Sequence, residues 1–173
     1  NYNGFKITFN KKPFYGDDIQ LLFQMINKND FIEGKGFSYS YDIKVDYIDM
    51  IYNKININKK LKVAIDCGNA AGCIIAPELY KKFDLKLFEL FCDIDGTFPN
   101  HHPDPTVDSN LVSLQKFVVD NKCDLGIAFD GDADRIVALD ENGVIIRSDI
   151  LMTLFLPYII KKGDSIVYDV KCS

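Results

Sequence analysis

A chain of 173 residues with 47% hydrophobic and 26% charged content has apolar material for one good core or two small ones, which excludes an intrinsically disordered segment. A net charge of −5 without any basic cluster excludes nucleic acid as a partner. No apolar run approaches the roughly 18 residues of a membrane span and no signal-type amino terminus is present, so the chain reads as cytoplasmic with no membrane partner.

Opening on Asn1 rather than methionine, the sequence reads as a piece of something longer. NYNGFKITF predicts an Asn-Gly turn and an alternating strand, with Phe5, Ile7 and Phe9 on one face and Lys6 on the other. Asp17 is placed to cap a helix running to about Asn27, whose buried stripe would be Ile19, Leu22, Phe23 and Ile26. Residues 31–42, rich in Gly, Ser and Tyr, read as a connector, and a second helix follows over about Val45 to Asn56. From Leu61 the period changes: LKVAID is a buried strand, GNAAG a turn, Cys73 to Phe83 a helix and LKLFEL another strand. A long loop holding Pro99, Pro103 and Pro105 then leads into a helix from Asn110 to Asn121 and a strand from Leu125 to Phe129. Ile136 to Leu139 and Val144 to Ile146 form a hairpin about Glu141-Asn142-Gly143. A helix capped by Ser148 or Asp149 runs to about Ile160, and SIVYDV begins one more strand. This alternation predicts an α/β fold, a mostly parallel mixed sheet flanked by helices, with ligand-holding loops at the strand carboxyl ends. One complete domain over 42–142 would lie between pieces of two neighbours, 1–41 and 143–173.

The five cysteines (Cys67, Cys73, Cys92, Cys123 and Cys172) lack C-x-x-C spacing and adjoin apolar stretches, which predicts reduced thiols packed as small hydrophobes, with neither disulfides nor zinc. His101 and His102 read as part of a proline-bound loop packing rather than as ligands, because no cysteine or histidine cluster sits at zinc spacing. GNAAG reads as a strand-to-helix turn that needs glycine, ahead of a phosphate cradle.

The most informative stretch is LGIAFDGDADRIVAL, Leu125 to Leu139. Asp130, Asp132 and Asp134 crowd one turn and Arg135 follows at once, one of only two arginines among 20 basic residues. Two like charges about 4 Å apart repel by roughly 4 kcal/mol at an effective dielectric of 20, so the turn calls for a cation or strong hydrogen bonds. Oxygen-only donors point to a hard ion such as Mg²⁺, and an arginine offers the planar fork that grips phosphate. An EF-hand reading fails because Arg135 stands where that loop requires Gly and the flanks are β-type. An aspartyl-phosphate phosphatase of haloacid-dehalogenase type fits poorly, since Asp134 stands where that motif wants Thr or Val. A non-catalytic metal-binding α/β module is a further reading.

DGDADR resembles the D-G-D-G-D-R metal loop of the α-D-phosphohexomutases, the phosphomannomutase and phosphoglucomutase family, departing only at Ala133. NGFKI at Asn3 to Ile7, DCGNAAG at Asp66 to Gly72, DGTFPNHHPDP at Asp95 to Pro105 and YDVKCS at Tyr168 to Ser173 are similar to further family segments in the expected order. The resemblance implies a phosphotransferase that interconverts hexose 1-phosphate and hexose 6-phosphate through a phosphoserine and a bisphosphate intermediate. Asp130, Asp132 and Asp134 would be the Mg²⁺ ligands, Arg135 a catalytic phosphate contact and Lys6 a catalytic acid/base, with a phosphosugar as the partner. It also implies that 1–41 ends a phosphoserine domain, 42–142 is the metal-binding domain and 143–173 starts a sugar-binding one. The phosphoserine motif itself does not occur in these residues, so the chain alone is expected to be inactive.

Overall fold

Residues 5–170 are described by the structure, a computed structural model, and the chain divides into two units, 1–41 and 42–173. The expected Asn-Gly turn, at Asn3 and Gly4, lies outside the described residues. In the first unit β1 (Ile7–Phe9) pairs antiparallel with β2 (Lys12–Phe14) through a tight hairpin with Asn10 and Lys11 both at positive φ, 50° and 61°. Those angles match the right-handed twist of the strands they join. Helix α1 (Asp17–Asn27) starts as expected, except that Gly16 at φ 59° occupies the cap position and Asp17 and Asp18 fill the first turn, where carboxylates favour the positive helix end. Its apolar stripe is not buried: Ile19, Leu22, Phe23 and Ile26 are all exposed. A hairpin of two three-residue strands is too small a layer to cover a helix face.

The second unit is built on a five-stranded sheet in the order β4-β3-β5-β6-β7. Its elements are α2 (Lys44–Tyr52), β3 (Lys62–Asp66), a 3₁₀ turn Ala71–Ile74, α3 (Ala76–Lys81), β4 (Lys86–Leu90), a 3₁₀ turn Asp108–Leu111, α4 (Val112–Asn121), β5 (Leu125–Phe129), β6 (Ile136–Leu139), β7 (Ile145–Ile146) and α5 (Ser148–Ile159). β3 pairs parallel with β4 and with β5, while β6 runs antiparallel to both β5 and β7, so only β6 points against the rest. The fold is α/β with a mostly parallel mixed sheet.

Period-two alternation in β3 gives each face its own core. Ala64 faces Leu111, Leu114 and Val118 at and within α4, together with Leu90, Ala128, Val137 and Leu139. Val63 and Ile65 face the opposite way, with Ile127, Ala76 and Tyr80 of α3. Behind α3 lies α2, held by the Lys82–Asp49 and Lys44–Glu78 ion pairs and by Tyr52 against Phe83 at 5.1 Å between ring centres.

Further expectations need correction: α4 starts at Val112 rather than Asn110, behind a 3₁₀ turn, and Arg147 rather than Ser148 or Asp149 stands at the cap of α5. The helix expected over Cys73 to Phe83 is split, because Pro77 fits only the first turn of a helix and α3 therefore begins at Ala76. The second helix ends at Tyr52, short of Asn56. SIVYDV forms no strand over Ser165 to Val170, since no described sheet edge pairs with it and an unpaired strand leaves its backbone groups to water. Lys171 and Cys172 lie outside the described residues.

Candidate metal centre

Parallel strands end together, so β3, β4 and β5 deliver three loops to one edge of the sheet: 67–72, 91–107 and 130–135. Asp130 follows β5 directly and is only 1% exposed. Arg135, opening the return strand, closes the loop onto it. The Arg135 backbone N–H donates to Asp130 Oδ1 at 2.9 Å, and Nε and Nη2 both donate to Oδ2 at 2.7 Å. Ala133 completes the turn at φ 58°, with its N–H donating to the Asp130 carbonyl at 3.0 Å. The flanking elements are strands, which agrees with the rejection of an EF-hand.

Asp130, Asp132 and Asp134 each offer an oxygen, and all three oxygens lie within 4.8 Å of one another, the only such metal-sized group among the described residues. Mg²⁺–O bonds of about 2.0–2.1 Å set bound oxygens at most roughly 4.2 Å apart, so a group within 4.8 Å needs only a small adjustment. Asp132 and Asp134 are exposed and can make that adjustment by rotation about their side-chain bonds. The donor set, all hard carboxylate oxygens, fits Mg²⁺.

Electrostatics separates the three. Burial pushes the Asp130 carboxyl up, but the backbone N–H, charge and side chain of Arg135 together outweigh it and hold the group below the usual carboxylate range. The charge of Asp132 pushes Asp134 up. Arg135 is raised above its ordinary value chiefly by the charge of Asp130, and its Nη1 also lies 3.7 Å from Asp104 Oδ1.

The other two loops brace this turn. Ala71 N–H donates to the Gly131 carbonyl at 3.3 Å. Pro103 sits between two glycines: a Cβ on Gly68 would lie 2.9 Å from Pro103 Cβ, and one on Gly131 would lie 3.7 Å from Pro103 Cγ. Gly68, at φ 52°, donates its N–H to Asp66 Oδ1 at 2.9 Å, so that N–H is spent within the turn. Asp66, 1% exposed, takes His101 Nε2 at 3.0 and 3.2 Å, and Asn69 bonds the Asp93 carbonyl and Asn100 at 2.7 Å each. Burial is the main force raising the Asp66 carboxyl, against the pull of His101.

Of the site residues expected from sequence, the structure brings together Asp130, Asp132, Asp134 and Arg135; Lys6 belongs to the first unit, exposed just ahead of β1. Sequence reasoning missed Asp66, His101 and Asp104 as supports. They pair over long range, His101 with Asp66 and Asp104 with Arg135, which local pattern does not encode.

A family model described as "Phosphoglucomutase/phosphomannomutase, alpha/beta/alpha domain II" matches residues 45–143. A phosphomannomutase/phosphoglucomutase from Pseudomonas aeruginosa is 40% identical over 175 residues, covering 100% of this chain and 38% of the relative. A phosphoglucomutase from Neisseria meningitidis is 38% identical, covering 99% of this chain and 38% of the relative. The crystal structure of a phosphoglucomutase/phosphomannomutase family protein from Burkholderia thailandensis superposes with a TM-score of 0.76 at 38% identity, covering 84% of this chain and 32% of that one. This chain thus spans less than half the length of these relatives. Because the matched residues, 45–143, run from α2 through β6 and carry the whole aspartate loop, the chain belongs to the phosphoglucomutase/phosphomannomutase family.

Proposed function

We propose that this chain is the metal-loop portion of a cytoplasmic phosphohexomutase that interconverts hexose 1-phosphate and hexose 6-phosphate, of mannose, glucose or both, through a phosphoserine and a bisphosphate intermediate. The observation that carries this reading is the convergence of three aspartate oxygens within 4.8 Å beside an arginine already locked to the buried member. Phosphoryl transfer is mostly positioning and charge neutralisation, which such a cluster supplies. Asp130, Asp132 and Asp134 hold Mg²⁺, which when bound supplies Lewis-acid polarisation of the transferring group. Arg135, with its side chain 56% exposed and one nitrogen at long range from Asp104, turns positive charge toward phosphate oxygens. Lys6 moves the proton of the sugar hydroxyl. In this reading 1–41, 42–142 and 143–173 are parts of the phosphoserine, metal-binding and sugar-binding domains.

The test is direct. Purified 1–173 with Mg²⁺ and glucose 1-phosphate or mannose 1-phosphate is expected to give no turnover, and Mg²⁺ is expected to bind weakly because a phosphate oxygen is wanting from its shell. The encoding gene, read upstream of Asn1, is expected to supply a serine in a T-A-S-H-N-P-like stretch. Sustained turnover by 1–173, tight stoichiometric Mg²⁺ binding, or an unrelated upstream sequence would count against the proposal.

A further inference from the structure

Three of the four described cysteines gather where β3 and β4 end. Cys67 follows Asp66 directly and is fully buried; Cys92, two residues past β4, is half-buried, and the two sulfurs stand 3.4 Å apart. Backbone bonds on either side hold them there. Cys67 N–H donates to the Leu90 carbonyl at 3.2 Å and Asn69 N–H to the Phe91 carbonyl at 2.8 Å. The Cys92 thiol also lies 3.3 Å from the Leu90 carbonyl, and the Cys73 thiol donates to the Phe91 carbonyl at 3.6 Å. A core that used cysteine only as a small hydrophobe would not need two sulfurs in mutual contact with one of them open to solvent. A soft-metal site is not indicated, since the aspartate group is the only one among the described residues with three ligand atoms at metal spacing.

We propose that Cys67 and Cys92 are a hydroperoxide-responsive dithiol that closes to a disulfide. The division of labour follows from their surroundings. The hydrogen bond with Cys67 lowers the Cys92 thiol, whereas Cys67 is pushed up by that bond and by burial. Cys92 is also the sulfur that a peroxide can reach, since Cys67 is fully buried. Cys92 sulfur attacks a peroxide oxygen, the O–O bond breaks, and hydroxide or alkoxide leaves, giving a sulfenic acid. Cys67 then gives its proton to the departing oxygen as its sulfur attacks Cys92 sulfur. The S–O bond breaks, water leaves, and an S–S bond of about 2.05 Å forms. Two thiols are oxidised by two electrons and one hydroperoxide is reduced.

The test treats the native protein with hydrogen peroxide, alkylates the remaining thiols and maps peptides by mass spectrometry. A Cys67–Cys92 linked peptide, lighter by two hydrogens and restored by dithiothreitol, is expected; Cys92→Ser should abolish it and Cys73→Ser should leave it. Cys92 carried to sulfinic acid with Cys67 unmodified, a Cys67–Cys73 link instead, or two thiols that stay reduced would each overturn the proposal. Because the native sequence alone decides the first measurement, a variant that fails to fold does not obscure the result.

Discussion

Ala133 holds φ 58° in the middle of the aspartate turn, a conformation that costs an L-residue with a Cβ about 1–2 kcal/mol and a glycine almost nothing. Its side chain is exposed, so no packing compensates. Set against the extra freedom glycine has when unfolded, Ala133→Gly should stabilise the protein by about 0.5–1 kcal/mol, read as a higher urea midpoint at unchanged slope. An unchanged or lower midpoint would contradict the backbone described for the loop. At the next residue, the Asp134 carboxyl is raised chiefly by the charge of Asp132. For an acid raised on folding, the native state keeps its proton to higher pH than the unfolded chain. Stability therefore falls as pH climbs from the ordinary carboxylate value to the raised one. Asp132→Asn should bring Asp134 back toward its ordinary value, which carboxyl-carbon NMR of the metal-free protein reads directly; a titration that does not move would remove the repulsion argued here.

At the scale of elements, α4 lies close on β5. A Cβ at Gly126 would meet Val118 Cγ2 at 2.8 Å and Leu139 Cβ at 3.1 Å, so the absence of a side chain sets how near the helix lies. Gly126→Ala should cost about 1–3 kcal/mol by overpacking, measured by chemical denaturation, and an unaffected midpoint would mean the layer can retreat freely. β5 and the acids after it were legible in sequence because a buried run passes without interruption into three carboxylates. The contacts that brace the aspartate turn were not legible in the same way. Asp66 meets His101 across 35 positions and Arg135 meets Asp104 through space, and neither pairing leaves a period in the sequence. SIVYDV misled for the opposite reason: its alternation is strand-like, but pairing depends on a neighbour that local pattern does not encode.

For the whole molecule, the candidate centre is a property of the folded sheet edge rather than of one hexapeptide. Its parts come from 66–72, 91–107 and 130–135, joined by Ala71 to Gly131, by Asp104 to Arg135 and by Pro103 set between Gly68 and Gly131. That wedge bears on anyone wishing to transplant the motif. DGDADR grafted onto another α/β scaffold would bring three acids and an arginine, but neither the proline that spaces the two loops nor the second carboxylate near the guanidinium. The portable module is the set of three loops, and a chimera should exchange them together or not at all.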